Sequence, residues 1–203
     1  MAGNLNRGIA LAALFASGIS CAAATDVALE LLDDSGKPIP DAVVFAEPVA
    51  GAAPAVKPNT RALIDQVNKE FVPKVNIVQA GTSVFFPNSD NIRHSIYSFS
   101  PAKVFTTKLY SGREAAPITF DQTGLVILGC NIHDAMVAWV YIVDTPWFDK
   151  SGANGIGTLK GLPSGEYKIT AAAPELNLPQ KVISLHVDGN APMHSAISMG
   201  AGP

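Results

Sequence analysis

The chain has 203 residues, of which 48% are apolar and 15% are charged, and its formal net charge is −3. This composition allows a sizeable buried core, argues against a disordered chain, and offers no basic field for a nucleic-acid backbone. Two cysteines and four histidines are too few for a disulfide scaffold or a zinc-finger array, while 17 glycines and 15 prolines favour turns and short strands.

Residues 1–24 have the pattern of a secretory signal peptide. Arg7 is the only charged side chain, an apolar run follows at Ile9–Ala16, and small residues lead to Ala24. A basic start, a short apolar centre and an A-x-A end predict cleavage after Ala24 and export to the periplasm. The run is too short to span a bilayer as a helix. A lipid anchor at Cys21 is the less favoured alternative, because the residues before it match the lipoprotein pattern poorly.

Residues 25–46 alternate in hydropathy around a turn-rich segment. Strands are predicted at Asp26–Leu32 and Ala42–Phe45, and the cluster DDSGKP between them is typical of a turn. Residues 47–60 contain an Ala/Pro-rich stretch without a period, which predicts a linker.

Residues 61–146 contain the densest β pattern. Gly124–Cys130 and Val137–Val143 are apolar on both faces, so they are expected inside a sandwich rather than at its wet edge. Short strands separated by turns predict an all-β sandwich. Further strands are predicted at Val75–Gln79, Thr82–Phe86, Ser95–Phe99 and Pro117–Asp121, and a single helical turn at most at Lys69–Phe71 or Val104–Tyr110.

Residues 147–203 continue the β pattern. Strands are predicted at about Gly157–Lys160, Glu166–Ala171 and Lys181–His186. The end of the chain is rich in His and Met, which can bind Cu(I), but the spacing is loose and favours solvated or core positions. The side chains in question are His186, Met193, His194 and Met199.

Cys130, His133 and Met136 form a C-x2-H-x2-M motif at the end of an apolar strand, and His94 follows an earlier strand, 36 residues upstream. Two imidazoles, a thiolate and a thioether make a soft ligand set. Structural zinc sites use Cys and His, whereas two His and one Cys with a weak axial Met are typical of blue copper. The motif therefore predicts a mononuclear copper site for electron transfer.

Each of these residues also has an interpretation without a metal. Taken singly, Cys130 would be an inert core thiol and Met136 core filler. A nucleophilic Cys–His pair is a rival, but the sequence shows neither an orienting third residue nor an oxyanion loop. Haem attachment needs C-x-x-C-H, which is absent. The combination favours a metal site and predicts that the protein is not an enzyme.

The blocks FVPKVNIVQAGTSVFFPNSDNIRHSI and ITFDQTGLVILGCNIHDAMVAWVYIV resemble the cupredoxins, with a short ligand loop similar to that of amicyanin. The resemblance covers about Phe71–Val143 and implies a Greek-key β-sandwich. In it, His94, Cys130 and His133 would be equatorial ligands of one type 1 copper ion, and Met136 the axial one. The same comparison makes Asn88 a residue that orients the ligands and marks Ser95 as a departure, because the family often has Asn there.

The run FPNSDNIRHSIYSFSPAK with GCNIHDAM also resembles exported proteins labelled methylamine utilisation proteins. This implies a redox protein partner, such as a c-type cytochrome or an amine-oxidising dehydrogenase. The function expected is a periplasmic single-electron carrier. The alternatives are a copper-delivery protein without a redox role, and a structural binding module that the metal stabilises.

The flanks LLDDSGKPIPDAVVF and DKSGANGIGTLKGLPSGEYKIT resemble two halves of a transthyretin-like or carboxypeptidase-regulatory-like β-module. The domains expected are therefore a first half at 25–46, a cupredoxin domain at 61–146, and a second half with the tail at 147–203. The resemblance carries no active-site residues and implies a scaffold or docking role.

Overall fold

The computed structural model describes residues 24–55, 60–112, 116–189 and 191–200, and within them almost all regular structure is β. The predicted signal peptide therefore lies outside the described residues, apart from Ala24. The strands are β1 (Ala24–Leu32), β2 (Val43–Pro48), β3 (Arg61–Leu63), β4 (Asp65–Val67), β5 (Glu70–Val72), β6 (Val75–Gln79), β7 (Thr82–Phe85), β8 (Ile96–Ser100), β9 (Lys103–Thr106), β10 (Ile118–Phe120), β11 (Gly124–Cys130), β12 (His133–Val143), β13 (Phe148–Lys150), β14 (Ile156–Pro163), β15 (Gly165–Ala172), β16 (Lys181–Val187) and β17 (Met193–Ser198).

The central sandwich consists of two sheets, β10-β7-β3 and β6-β12-β11-β8-β9. Its core takes side chains from both sheets, because alternate residues of each strand point inward. In β11, for example, Val126, Leu128 and Cys130 are buried while Ile127 is exposed. The short β4–β5 hairpin adds Phe71 to this core. The all-β class predicted from the sequence is confirmed.

The flanking sandwich also consists of two sheets, β14-β1-β17 and β13-β2-β15-β16. Strand β1 pairs antiparallel with β14 and parallel with β17, and β2 pairs antiparallel with β15 and β13. One apolar core joins the two sheets, with Leu29 and Ile169 fully buried in it. The segments on either side of the central sandwich thus pair strand to strand. Their likeness to a transthyretin-like or carboxypeptidase-regulatory-like module stays a prediction.

The two sandwiches meet at a small apolar junction. Val43 and Ala172 of the flanking sandwich form one buried cluster with Val75 and Tyr141 on the outer face of the large central sheet. Beside the cluster, Lys150 Nζ lies 3.2 Å from the carbonyl oxygen of Val75. The junction therefore covers the β6–β12 end of that sheet, whereas Phe99 and Val104 at the β8–β9 end are 78% and 66% exposed.

Neither segment for which the sequence allowed a helical turn is helical: one forms a strand and the other the turn of a hairpin. Val104 belongs to β9, and Lys69 lies in the tight turn between β4 and β5. Pairing with β8 decides the first case, since tertiary context overrides a weak local signal. The one helix of the described residues is a 3-10 turn at Pro174–Leu176, and no helix there is long and apolar enough to cross a membrane.

Candidate metal centre

Cys130 and His133 are held on a tight connection between two central strands. Strand β11 ends at Cys130 and β12 begins at His133, with a two-residue turn between them and an irregular register at Cys130. Cys130 also pairs with Ile96 of β8, which buries its side chain to 3% exposure. The sulfur thus sits at one end of the central core, and His133 lies beside it and is half-buried.

His94 approaches from the loop before β8. Its backbone N–H donates to the Tyr110 carbonyl at 3.0 Å, and the Tyr110 N–H donates back to the His94 carbonyl at 2.9 Å. The imidazole is fully buried. This two-way bridge fixes the main chain at His94, so the ring keeps a defined position next to the Cys130 loop.

The structure brings these three side chains together. Cys130 Sγ lies 3.6 Å from His94 Nδ1 and 3.8 Å from His133 Nδ1, and the three donor atoms are all within 4.8 Å of one another. With metal–nitrogen bonds of about 2.0 Å and metal–sulfur bonds of about 2.3 Å, two ligands 120° apart around an ion are separated by about 3.7 Å. The donor spacing therefore fits one small metal ion lying between the three side chains.

Met136, the predicted axial ligand, is 1% exposed and projects from β12 into the same core cluster as Cys130. Two residues separate it from His133, so the strand that begins at His133 also carries the thioether into the core. Because a buried thioether in an apolar core is also ordinary packing, its role as a ligand stays a prediction.

Asn88 braces the loop that carries His94. Its side-chain amide donates to the carbonyls of Ile92 and Tyr110, both at 2.9 Å, and its Oδ1 accepts the N–H of Asp90 at 3.0 Å. These bonds stabilise the segment from residue 88 to His94. Asn88 therefore acts on the site through the loop that carries His94 and not through the Cys130 loop.

Ser95 links the two ligand loops. Its carbonyl accepts the N–H of Asn131 at 3.2 Å, and its hydroxyl accepts the Asn131 side-chain amide at 2.7 Å while donating to the Thr107 carbonyl at 3.0 Å. The serine at this position, marked as a departure from the family pattern, thus ties the residue after Cys130 to the residue after His94.

Asp90 contacts His94 directly, and the ligand motif in the sequence does not predict this contact. Its Oδ2 lies 2.8 Å from His94 Nε2, and its side chain is only 11% exposed. Burial raises the pKa of Asp90, but hydrogen bonds from the Lys69 N–H, His94 and the Asn68 N–H outweigh it and hold the pKa below its usual value. The available signal was the four-residue spacing from Asp90 to His94.

Around His133 the surface is partly apolar. Ile132 is 49% exposed, and Ala135 and Asp134 are exposed beside it. Trp139, further along β12, packs against the junction between the sandwiches. The surface next to the half-buried imidazole therefore combines the apolar side chains of Ile132 and Ala135 with the carboxylate of Asp134.

The His and Met side chains near the C-terminus are not gathered into a second cluster. His186 of β16 faces Glu166 at 2.7 Å, and His194 of β17 lies 3.9 Å from Glu30, in a different sheet. Met199 is buried in the flanking core. Across the described residues, the only group of three or more His, Cys, Asp or Glu that could hold a metal is the one formed by His94, Cys130 and His133.

No family model matches the chain, and no curated protein does. Among solved structures it is similar to a Cu-containing nitrite reductase (NirK) from Thermus scotoductus SA-01, with 28% identity over 48% of this chain and 25% of that one and a TM-score of 0.39. It is similar to a purple cupredoxin from Nitrosopumilus maritimus, with 21% identity over 42% of this chain and 100% of that one and a TM-score of 0.36. It is also similar to a Cu(I) structure of an amicyanin mutant, with 14% identity over 49% of this chain and 99% of that one and a TM-score of 0.38.

The chain thus spans a quarter of the nitrite reductase and nearly the whole of the two smaller proteins. All three TM-scores are below 0.5, so the assignment stands on the chain's own β-sandwich and donor set. Two imidazoles and a thiol at metal-binding distance, with a thioether in the same core, match copper better than zinc. The central β-sandwich therefore carries a candidate metal site at His94, Cys130 and His133, and its donor set fits copper.

Proposed function

We propose that this chain is an exported type 1 copper protein that carries single electrons between redox proteins. His94, Cys130 and His133 would be the equatorial ligands and Met136 the axial one. The observation that supports this most directly is the spacing of the three donor atoms at one end of a β-sandwich. A bound copper ion would supply a one-electron Cu(II)/Cu(I) couple there.

Rigid positioning of the ligands supports electron transfer rather than delivery of the ion. His94 is fixed by its bridge to Tyr110, and Asn131 fixes the Cys130 loop through Ser95. Ligands that move little between two oxidation states keep the barrier to electron transfer small. A delivery protein, in contrast, has to release its ion, and a buried Cys130 and His94 would hinder that release.

The proposed electron path runs through His133. This imidazole is half-buried beside the exposed Ile132 and Ala135, so a partner protein could contact it directly. A small apolar edge suits a brief and weak encounter. The proposed partners are periplasmic redox proteins such as a c-type cytochrome or an amine-oxidising dehydrogenase, the latter following the resemblance to methylamine utilisation proteins. One electron would come from the reduced partner and pass to the oxidised one.

The test is copper loading of the purified mature protein. We expect an intense visible thiolate-to-Cu(II) band and a reversible potential, and we expect Cys130→Ala to lose the band and to weaken copper binding. His186→Ala is a matched control, because it removes an exposed imidazole paired with Glu166 and leaves the cluster intact. A colourless Cu(I) complex that readily gives up its ion would favour delivery instead. Unchanged copper affinity in Cys130→Ala would contradict the site.

A further inference from the structure

Asp90 joins the candidate ligand His94 to a hairpin on the other side of the loop. Its carboxylate receives the N–H of Asn68 on Oδ1 at 2.7 Å and the N–H of Lys69 on Oδ2 at 2.8 Å. Oδ2 also lies 2.8 Å from His94 Nε2. Each oxygen therefore already accepts a backbone N–H, and the carboxylate faces the imidazole as a hydrogen-bond acceptor.

The neighbouring carboxylate favours the proton on one particular nitrogen of the imidazole. A neutral imidazole has one N–H and one bare nitrogen, and a neighbouring acceptor draws the proton to the nitrogen nearest it. With Asp90 accepting at Nε2, the bare nitrogen is Nδ1. That is the nitrogen that lies 3.6 Å from Cys130 Sγ, inside the donor cluster.

The turn between β4 and β5 holds the carboxylate in place. Asn68 and Lys69 are consecutive residues in the left-handed region, with φ of 53° and 63°. Their two N–H groups converge on Asp90, and the hairpin itself is anchored in the central core by the fully buried Phe71. The position of the carboxylate thus depends on an element that contributes no metal ligand.

We propose that Asp90 is a positioning residue that holds His94 in the Nε2–H tautomer, with Nδ1 directed at the metal, and that its negative charge favours Cu(II) over Cu(I). A carboxylate that accepts the far N–H of a metal-bound imidazole fixes the ring and raises its basicity. A more basic ligand stabilises the higher charge of Cu(II), so Asp90 lowers the reduction potential. The part concerning copper rests on the proposed function, whereas the tautomer does not.

The first test uses the metal-free protein. Long-range ¹⁵N–¹H NMR of His94 is recorded at a pH above which its ring shifts no longer change, so that the imidazole is neutral. We expect a proton on Nε2 and an unprotonated shift for Nδ1. A proton on Nδ1 with a bare Nε2 would overturn the proposal, and this measurement holds whether or not the site binds copper.

The second test compares Asp90→Asn with Asp134→Asn. Both substitutions remove one negative charge close in sequence to a candidate ligand, but Asp134 is exposed. We expect Asp90→Asn to lose 10–100-fold in Cu(II) affinity, as is common when such a partner is mutated. For a one-electron couple, a tenfold loss specific to Cu(II) raises the potential by about 59 mV. Asp134→Asn should shift the potential much less.

The outcomes separate the two proposals. Equal potentials in the two variants would overturn the role of Asp90 while leaving the copper carrier intact. An Nε2–H tautomer in a protein that never develops a thiolate-to-Cu(II) band would support the positioning role and contradict the electron-carrier function. If Asp90→Asn does not fold, the tautomer measurement on the parent protein decides the question.

Discussion

At the scale of single residues, the site combines polar atoms with an apolar core. Cys130 is buried in the apolar core and His94 is fully buried beside it, and a buried polar group is costly unless it has a partner. The partner of His94 is Asp90. The Cys130 sulfur and the His94 Nδ1 lie close together, and a metal ion bound between them would complete their contacts. The Asp90 carboxylate accepts two backbone N–H groups, so the partner of the buried imidazole is itself held in place.

Met136 gives a prediction at this scale. Substitution of Met136 by Gln should keep copper bound but lower the reduction potential, because a harder oxygen ligand favours Cu(II). A tenfold gain in the preference for Cu(II) would lower the potential by about 59 mV. Voltammetry of the copper-loaded variant measures this shift.

The control for that substitution is Met193→Gln. Met193 is half-buried in β17, against the flanking core, far along the chain from the cluster. Its replacement should leave the potential where it is in the parent. If Met136→Gln behaves in the same way as Met193→Gln, then Met136 is not the axial ligand.

At the scale of elements, strand β12 serves both the site and the packing of the molecule. It begins at His133, carries Met136 inward and continues to Val143. Further along, Tyr141 lies on its outer face in the junction with the flanking sandwich. Since successive side chains of a strand point to opposite faces, one continuous strand can place a candidate ligand inside and a junction residue outside.

The β4–β5 turn gives a prediction at this scale. Lys69 is exposed with φ of 63°, a backbone conformation that costs most residues about 1–2 kcal/mol. Lys69→Gly should therefore raise the free energy of unfolding by up to about 1 kcal/mol. The gain is smaller than the strain that is removed, because glycine has more conformational freedom in the unfolded chain. Lys69→Val should lower it by about 1–2 kcal/mol, because β-branched residues tolerate this region poorly.

Urea unfolding of the metal-free protein measures these effects. Lys69→Asn is the matched control, since it removes the same charge but tolerates a positive φ, and its stability should stay close to that of the parent. Equal stability of the Gly, Asn and Val variants would show that the turn conformation is not what limits this position.

At the scale of the whole molecule, one sandwich is inserted into another. Strands β1 and β2 precede the central sandwich, and their partners β14 and β15 follow it. The flanking sandwich therefore closes only after the chain has passed through the central one. Lys150, which contacts the Val75 carbonyl at the junction, also pairs with Asp41 of the flanking sandwich at 2.7 Å.

The junction gives the prediction at this scale. Val75 is 1% exposed in the apolar cluster, and Val104 on the same outer sheet face is 66% exposed. Val75→Ala should lower the free energy of unfolding by about 2 kcal/mol, through lost burial and the cavity left behind. Val104→Ala should change it by less than about 0.5 kcal/mol.

A double-mutant cycle extends this test across the junction. Val43 belongs to the flanking sandwich and shares the buried cluster with Val75. The costs of Val43→Ala and Val75→Ala should not add, because residues packed in one cluster are coupled. Additive costs, or a Val75→Ala cost as small as that of Val104→Ala, would show that the two sandwiches do not stabilise one another here.

Much of the architecture was predictable from local pattern. Period-two alternation and turn residues predicted the all-β class and most long strands, including β11, β12, β15 and β16. The short strands β3, β4 and β5 were not predicted. Each of these strands has three residues, which is too few for a periodic pattern. They form because β3 pairs with β7 and β4 pairs with β5.

The sequence by itself determined which donor groups the candidate site offers, because donor types and their close spacing on one loop are properties of the chain. It placed Cys130, His133 and Met136 within seven residues, and this donor set favours copper among metals. Only the tertiary structure decided that His94 lies beside Cys130 and His133, that Asp90 contacts His94, and that the two flanks pair. Contacts between residues distant along the chain depend on sheet registry and packing, which no local pattern contains.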